Sequence, residues 1–102
     1  MVYTENISFE WDENKHSTNL KKHGIHFSDA VLLFYDFRAV IEVDNKHSLN
    51  ELRYRIIGYS PRGLLFVVFV KNSPHKMRLI TARKCTKKEK RLYVEKNKIL
   101  IE

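Results

Sequence analysis

Arg53-Tyr-Arg-Ile-Ile-Gly-Tyr-Ser-Pro-Arg-Gly-Leu-Leu-Phe-Val-Val-Phe-Val70 decides the fold. Arg53 to Tyr59 reads as a strand, with Arg53, Arg55, Ile57 and Tyr59 on one face. Ser60-Pro-Arg-Gly63 is a turn by composition. Leu64 to Val70 is apolar at every position, which marks a central strand covered on both faces. The two strands are expected as an antiparallel hairpin with a four-residue connection. Downstream, Asn72 to His75 makes another turn and Lys76 to Ala82 the next strand. Upstream, Arg38 to Val43 is a strand, followed by a polar loop over Asp44 to Asn50.

Further out, Ile7, Phe9 and Trp11 alternate with Ser8 and Glu10, the pattern of a short strand. Asp12 is placed to cap a helix running to about His23, with Gly24 able to take the left-handed C′ conformation. Leu20 is almost the only apolar residue of that helix, so burial contributes little to it. Ser28 is expected to cap a second helix from Asp29 to about Tyr35, with Ala30, Val31, Leu33 and Phe34 as its apolar face. Thr86-Lys-Lys-Glu89 is a capping box and opens a third. The order is β-α-α-β-β-β-β-α. The expected class is α+β, an antiparallel four- to five-stranded sheet with two N-terminal helices and one C-terminal helix, the helices on one face.

The 102 residues suit a single domain. The longest apolar run, Leu64 to Val70, is far short of the roughly 20 residues that span a bilayer, so no membrane partner is expected. No secretory signal is visible at the N-terminus, and Cys85 is the sole cysteine. A reducing cytoplasm is the expected location.

Charge is unevenly placed. Residues 71–102 hold eleven Lys and Arg against three Glu, whereas residues 1–70 hold eight against nine Asp and Glu. A near-neutral body with a cationic end favours a phosphate-bearing polymer as partner over a merely solvated helix. Lys87 and Lys88 occupy the first turn of the third helix, where each cation costs a few tenths of a kcal/mol against the dipole. An arriving phosphate reverses that loss, with Arg78, Arg83 and Lys84 supplied by the adjoining strand. Glu51, just before Arg53, reads equally as an exposed salt bridge or as an acid–base residue among guanidiniums. The five histidines are scattered, and no Cys or carboxylate cluster supports a metal site, so no metal or other cofactor is expected. Tyr93 either packs or stacks on a base.

Several local patterns converge. Phe9-Glu-Trp-Asp-Glu-Asn-Lys15, Asn19-Leu-Lys-Lys-His-Gly-Ile25, Glu51-Leu-Arg-Tyr-Arg-Ile-Ile-Gly58, Arg78-Leu-Ile-Thr-Ala-Arg-Lys84 and Glu89-Lys-Arg-Leu-Tyr93 stand in an order that resembles the BrnT toxins of bacterial toxin–antitoxin systems. The resemblance covers about residues 7 to 94, with mild departures at Thr81 and Cys85 and no counterpart for the tail over 97–102. It implies a RelE-like fold and a metal-independent endoribonuclease that inhibits translation. It also implies a BrnA-like ribbon-helix-helix antitoxin, with operator DNA met only through the toxin–antitoxin complex.

RNA cleavage of this kind uses the 2′-hydroxyl as nucleophile and needs a base, cations for the phosphorane charge and an acid for the leaving oxygen. Under the resemblance, Arg53 and Arg83 stabilise phosphate, Lys22 and His23 contact phosphate or move a proton, and the base is Glu51 or His23. RNA contact falls to Arg78, Lys84, Lys87, Lys88, Arg91 and Tyr93. The competing expectation is a non-catalytic module that binds nucleic acid or the antitoxin through the same basic surface.

Overall fold

The computed structural model describes the backbone of residues 7–101 and the side chains of residues 7–98. The N-terminal signal reading and the side chains of the Ile99-Leu-Ile101 run lie outside those residues. β1 (Ser8–Glu10) is followed by α1 (Glu13–His23), α2 (Phe27–Ala30) and a 3-10 segment over Val31–Tyr35. Then come β2 (Val40–Val43), β3 (Tyr54–Ser60), β4 (Gly63–Ser73), β5 (Lys76–Lys84) and α3 (Lys87–Ile101). The α+β class and the element order are those expected from the sequence.

The five-stranded sheet has the order β1-β5-β4-β3-β2. β2 to β5 form the antiparallel meander, but β1 lies parallel to β5, with Ser8 opposite Lys76. The sheet is therefore mixed. A parallel neighbour needs a long crossover, and everything from α1 to β4 provides it. Ser60 pairs with Gly63, so the hairpin loop is the two residues Pro61 and Arg62 rather than four. Gly63 takes φ +98°, which a residue with a Cβ adopts only under strain.

The helices do not share one face. Leu65, Val67 and Phe69 of β4 point into a core with Ile25, Phe27, Ala30, Leu33 and Phe34. Leu64 and Phe66 point the other way, to a smaller cluster with Ile57, Cys85, Leu92 and Tyr93. α3 thus covers part of the second face, and Leu64, Phe66 and Val68 remain half-buried there. The doubly apolar β4 needs cover on both sides, and one set of helices cannot give it.

α1 is capped as its sequence implies. Asp12 accepts from the amides of Asn14 and Lys15, and Gly24 is left-handed at φ 70°. Ser28 does not cap α2; His26 holds that position with no side-chain bond, and α2 passes at once into the 3-10 turn. The buried residue of α1 is Asn19. Its Oδ1 accepts from the Ala82 amide at 2.9 Å, and its Nδ2 donates to Ala82 O at 2.9 Å and Ile25 O at 3.0 Å. β1 is too short to pair with this part of β5, and the Asn19 amide takes the place of a strand at the open edge. Buried backbone groups need such partners. Asn19→Ala orphans them and is expected to lower stability by about 1–3 kcal/mol, read as a reduced urea midpoint with an unchanged m-value.

Candidate active site

β5 carries an extra residue. Val68 pairs with Thr81 but Phe69 pairs with Leu79, leaving Ile80 as a bulge. Side chains alternate along a regular strand, so Arg78 and Arg83, five positions apart, would face opposite sides. The bulge resets the alternation. Met77, Leu79 and Ala82 all reach the main core, and Arg78 pairs with Val70, Thr81 with Val68 and Arg83 with Phe66 on the second face. The adjacent apolar pair Leu79-Ile80 is the one sequence signal of this break.

That second face forms a groove of about 960 Å³. Its floor is Ile57, Phe66, Val68, Ile80 and Thr81. α3 supplies one wall with Lys88, Arg91 and Glu95, and the β2 end and the loop after it supply the other with Glu42, Asp44, Lys46 and His47. Arg53, Arg55, Arg83 and Glu89 complete the lining. Arg53 and Arg83 therefore line one concavity with Lys88 and Arg91.

Several of these charges are already engaged. Arg83 makes a two-pronged pair with Glu89, both bonds 2.8 Å, and lies 4.1 Å over the Phe66 ring. Glu89 Oε1 also accepts from the Thr86 amide at 2.9 Å while the Glu89 amide donates to Thr86 Oγ1 at 3.2 Å. The capping box is present, and the anion held at this helix end is the chain's own Glu89. Arg55 pairs with Glu42 at 3.1 Å and His47 with Asp44 at 3.0 Å. Arg53, Lys46, Lys88 and Arg91 have no ion-pair partner among the described residues. They are the cations open to a ligand.

Glu51 pairs with Arg78, across on β5, at 2.6 Å. The Arg78 hydrogen bond holds its carboxyl below the ordinary range, with Arg53 and Lys15 adding to the effect. Lys22 and His23 line a smaller hollow of about 310 Å³ between α1 and β5, with Lys15 and Thr18. This hollow meets the groove at Ile80 and Thr81, which line both. Burial, then Lys22 and Arg83, lower the His23 pKa.

Lys84 and Lys87 are exposed and line neither hollow. Tyr93 is corrected as a stacking platform: it is 8% exposed, its hydroxyl donates to Asp36 Oδ2 at 2.7 Å, and Tyr59 packs edge-on at 5.6 Å. Burial and the Asp36 bond push its phenol pKa up. Burial likewise raises the Cys85 thiol to about 11, which leaves it inert at neutral pH. Sequence reasoning missed Asn19 and the Asp44–His47 pair. Asp44-x-x-His47 spacing in the polar loop was the available signal for the pair.

The crystal structure of the Brucella abortus ribonuclease toxin BrnT, at 1.1 Å resolution, superposes with a TM-score of 0.63 at 25% identity, over 79% of this chain and 99% of that one. Residues 11–89 match the family described as the ribonuclease toxin, BrnT, of type II toxin–antitoxin systems, and the chain belongs to that family. No curated protein sequence matches it. Membership makes the protein a type II toxin with an antitoxin as its partner.

Two measurements check the electrostatics. Glu89 has its pKa lowered by Arg83 and by the Thr86 amide, so the native state binds fewer protons than the unfolded chain. Its stabilisation is complete above the ordinary 4.5 and disappears as acid carries the pH through the lower folded value. Glu89→Gln is expected to be less stable at pH 7 and to show a shallower loss of stability below pH 4.5. For His23, the imidazole titration followed by NMR is expected to have its midpoint below 6.5 and to move upward in Lys22→Ala.

Proposed function

We propose that the protein is a metal-independent endoribonuclease whose groove binds the RNA backbone, and that its cutting of RNA inhibits translation in the cytoplasm. The observation that carries this reading is the set of unengaged cations, Arg53, Lys88 and Arg91, around an apolar floor of Phe66 and Val68. Phosphates suit the rim and bases suit the floor. Under this reading the 2′-hydroxyl attacks the adjacent phosphorus, and Arg53 and Arg83 stabilise the added charge. Arg83 keeps its orientation through Glu89 and Phe66, which spares reorganisation at the moment of reaction. Lys22 extends the same cationic surface past Thr81, with His23 beside it. Glu51, locked to Arg78 and depressed in proton affinity, acts as an orienting anion rather than as the base.

The partner proposed is a BrnA-like ribbon-helix-helix antitoxin that covers this groove, with operator DNA reached only through the complex. No helix among the described residues is long and apolar enough to cross a membrane. The pairing of Arg83 with Glu89 and of Arg78 with Glu51 favours one second reading. In it the surface only binds nucleic acid, since Arg83 of the groove and Arg78 outside it are held by carboxylates rather than free to stabilise a transition state.

The deciding experiment is incubation of the purified protein with labelled RNA in a chelator. Fragments ending in 2′,3′-cyclic phosphate are expected, and antitoxin is expected to suppress them. Salt-dependent retention of intact RNA would support the second reading instead. Arg53→Ala is expected to reduce the cleavage rate about 10²–10³-fold, and Lys88→Ala to lower the salt slope of RNA binding by about 1.

A further inference from the structure

The loop between β2 and β3 holds a histidine–carboxylate pair that neither the sequence reading nor the family match assigns. Asp44 is buried, its side chain 6% exposed, whereas the His47 side chain is 61% exposed. His47 Nδ1 lies 3.0 Å from Asp44 Oδ2 and 3.2 Å from Oδ1. A carboxylate accepts, so this contact favours the hydrogen on Nδ1, and in the neutral ring that tautomer leaves the Nε2 lone pair free. Among the described residues Nε2 has no hydrogen-bond partner. Both residues line the groove.

The loop is tied to the cation that the phosphate reading relies on. The Asp44 amide donates to Arg53 O at 2.8 Å. Ser48 Oγ donates to Asp44 O at 2.6 Å and accepts from the Arg53 amide at 2.9 Å. The His47 amide donates to Asp44 O at 3.3 Å. Arg53 and His47 therefore leave one hydrogen-bonded unit and enter one groove.

We propose that His47 is the general base of this site, with Asp44 as its positioning residue. The assignment rests on the nuclease reading above. Neither alternative has the same equipment. The Glu51 carboxylate is held by Arg78 at 2.6 Å. His23 sits in the smaller hollow among Lys15 and Lys22, with no carboxylate to balance a positive ring. His47 has a buried anion behind it, which fixes the tautomer and balances the imidazolium that forms. In the step, Nε2 takes the 2′-hydroxyl proton as the 2′-oxygen bonds to phosphorus. The P–O5′ bond breaks, its electron pair leaves with the 5′-oxygen, and that oxygen takes a proton from water. The products are a 2′,3′-cyclic phosphate and a 5′-hydroxyl, and the imidazolium returns its proton to solvent.

The test compares full-length wild type, His47→Ala and Asp44→Asn. Single-turnover cleavage of labelled RNA in chelator is followed from pH 5 to 9. Affinity is measured by anisotropy on the same oligonucleotide with 2′-deoxyribose at the cut site. His47→Ala takes the hydrogen-bond partner from the buried Asp44 carboxylate, so folding of each variant is checked by its thermal transition, and Asp44→Asn, which keeps a hydrogen bond to the ring, is the second variant. His47→Ala is expected to lose about 10²–10⁴-fold in rate with affinity within about twofold, to lack the acid limb of the wild-type profile, and to recover part of the rate with added imidazole. Asp44→Asn, which also allows the other tautomer, is expected to lose rate without affinity. Wild-type rate and an unchanged pH profile in His47→Ala overturn the assignment while leaving the nuclease reading standing. No cleavage by wild type overturns both.

Discussion

The unpaired residue Ile80 in β5 is the constraint on which the site depends. A sheet places successive side chains on opposite faces, and one inserted residue reverses everything beyond it. Before Ile80, Met77 and Leu79 enter the core; after it, Ala82 does. Arg78, Thr81 and Arg83 thereby share the face opposite the core. The same disruption falls where β1 has ended, and Asn19 supplies the missing edge partner to Ala82. α1 is held against β5 by that amide, which sets Lys22 and His23 beside Thr81. Backbone satisfaction and site assembly are here one event.

The second constraint is the shortage of cover for β4. Its main-core face is sealed, and among the described residues its other face receives only α3. Polar ties hold that helix where apolar contact is sparse: Glu89 to Arg83, Tyr93 to Asp36, and Asn97 Nδ2 to Arg38 O at 3.0 Å. The part of the face left open becomes the groove floor. An apolar floor under a cationic rim matches the two-sided chemistry of a nucleotide, whose base is flat and apolar and whose phosphate is charged. Glu89 serves three needs at once, closing the helix start, aiming Arg83 and limiting the field at that end.

The charge asymmetry along the chain was legible, but its destination was not. Of the cations near the C-terminus, Lys88 and Arg91 face the groove, Arg78 and Arg83 are paired with Glu51 and Glu89, and Lys84 and Lys87 face solvent away from both hollows. Arg53 came from the near-neutral part of the sequence and is among the open groove cations. Counting charge by segment cannot foresee pairing across 27 positions, as for Glu51 and Arg78. Tyr93 shows the reverse error. A tyrosine on a basic helix suggests stacking, yet its face of that helix is the one turned to the sheet.

The sequence by itself determined the local structure. Asp12, Gly24 and the Thr86–Glu89 box set helix ends through hydrogen bonds only a few residues long. Alternation and turn composition set the four-stranded meander, and the ordered motifs set the family. Tertiary structure alone decided that β1 runs parallel to β5, that α3 takes the second face, that Ile80 bulges and that Asp44 is buried under His47. The physical reason is range. Caps and turns are satisfied between neighbours in the chain, whereas a parallel edge, a covered face and a buried carboxylate take their energy from groups that only the folded chain brings together.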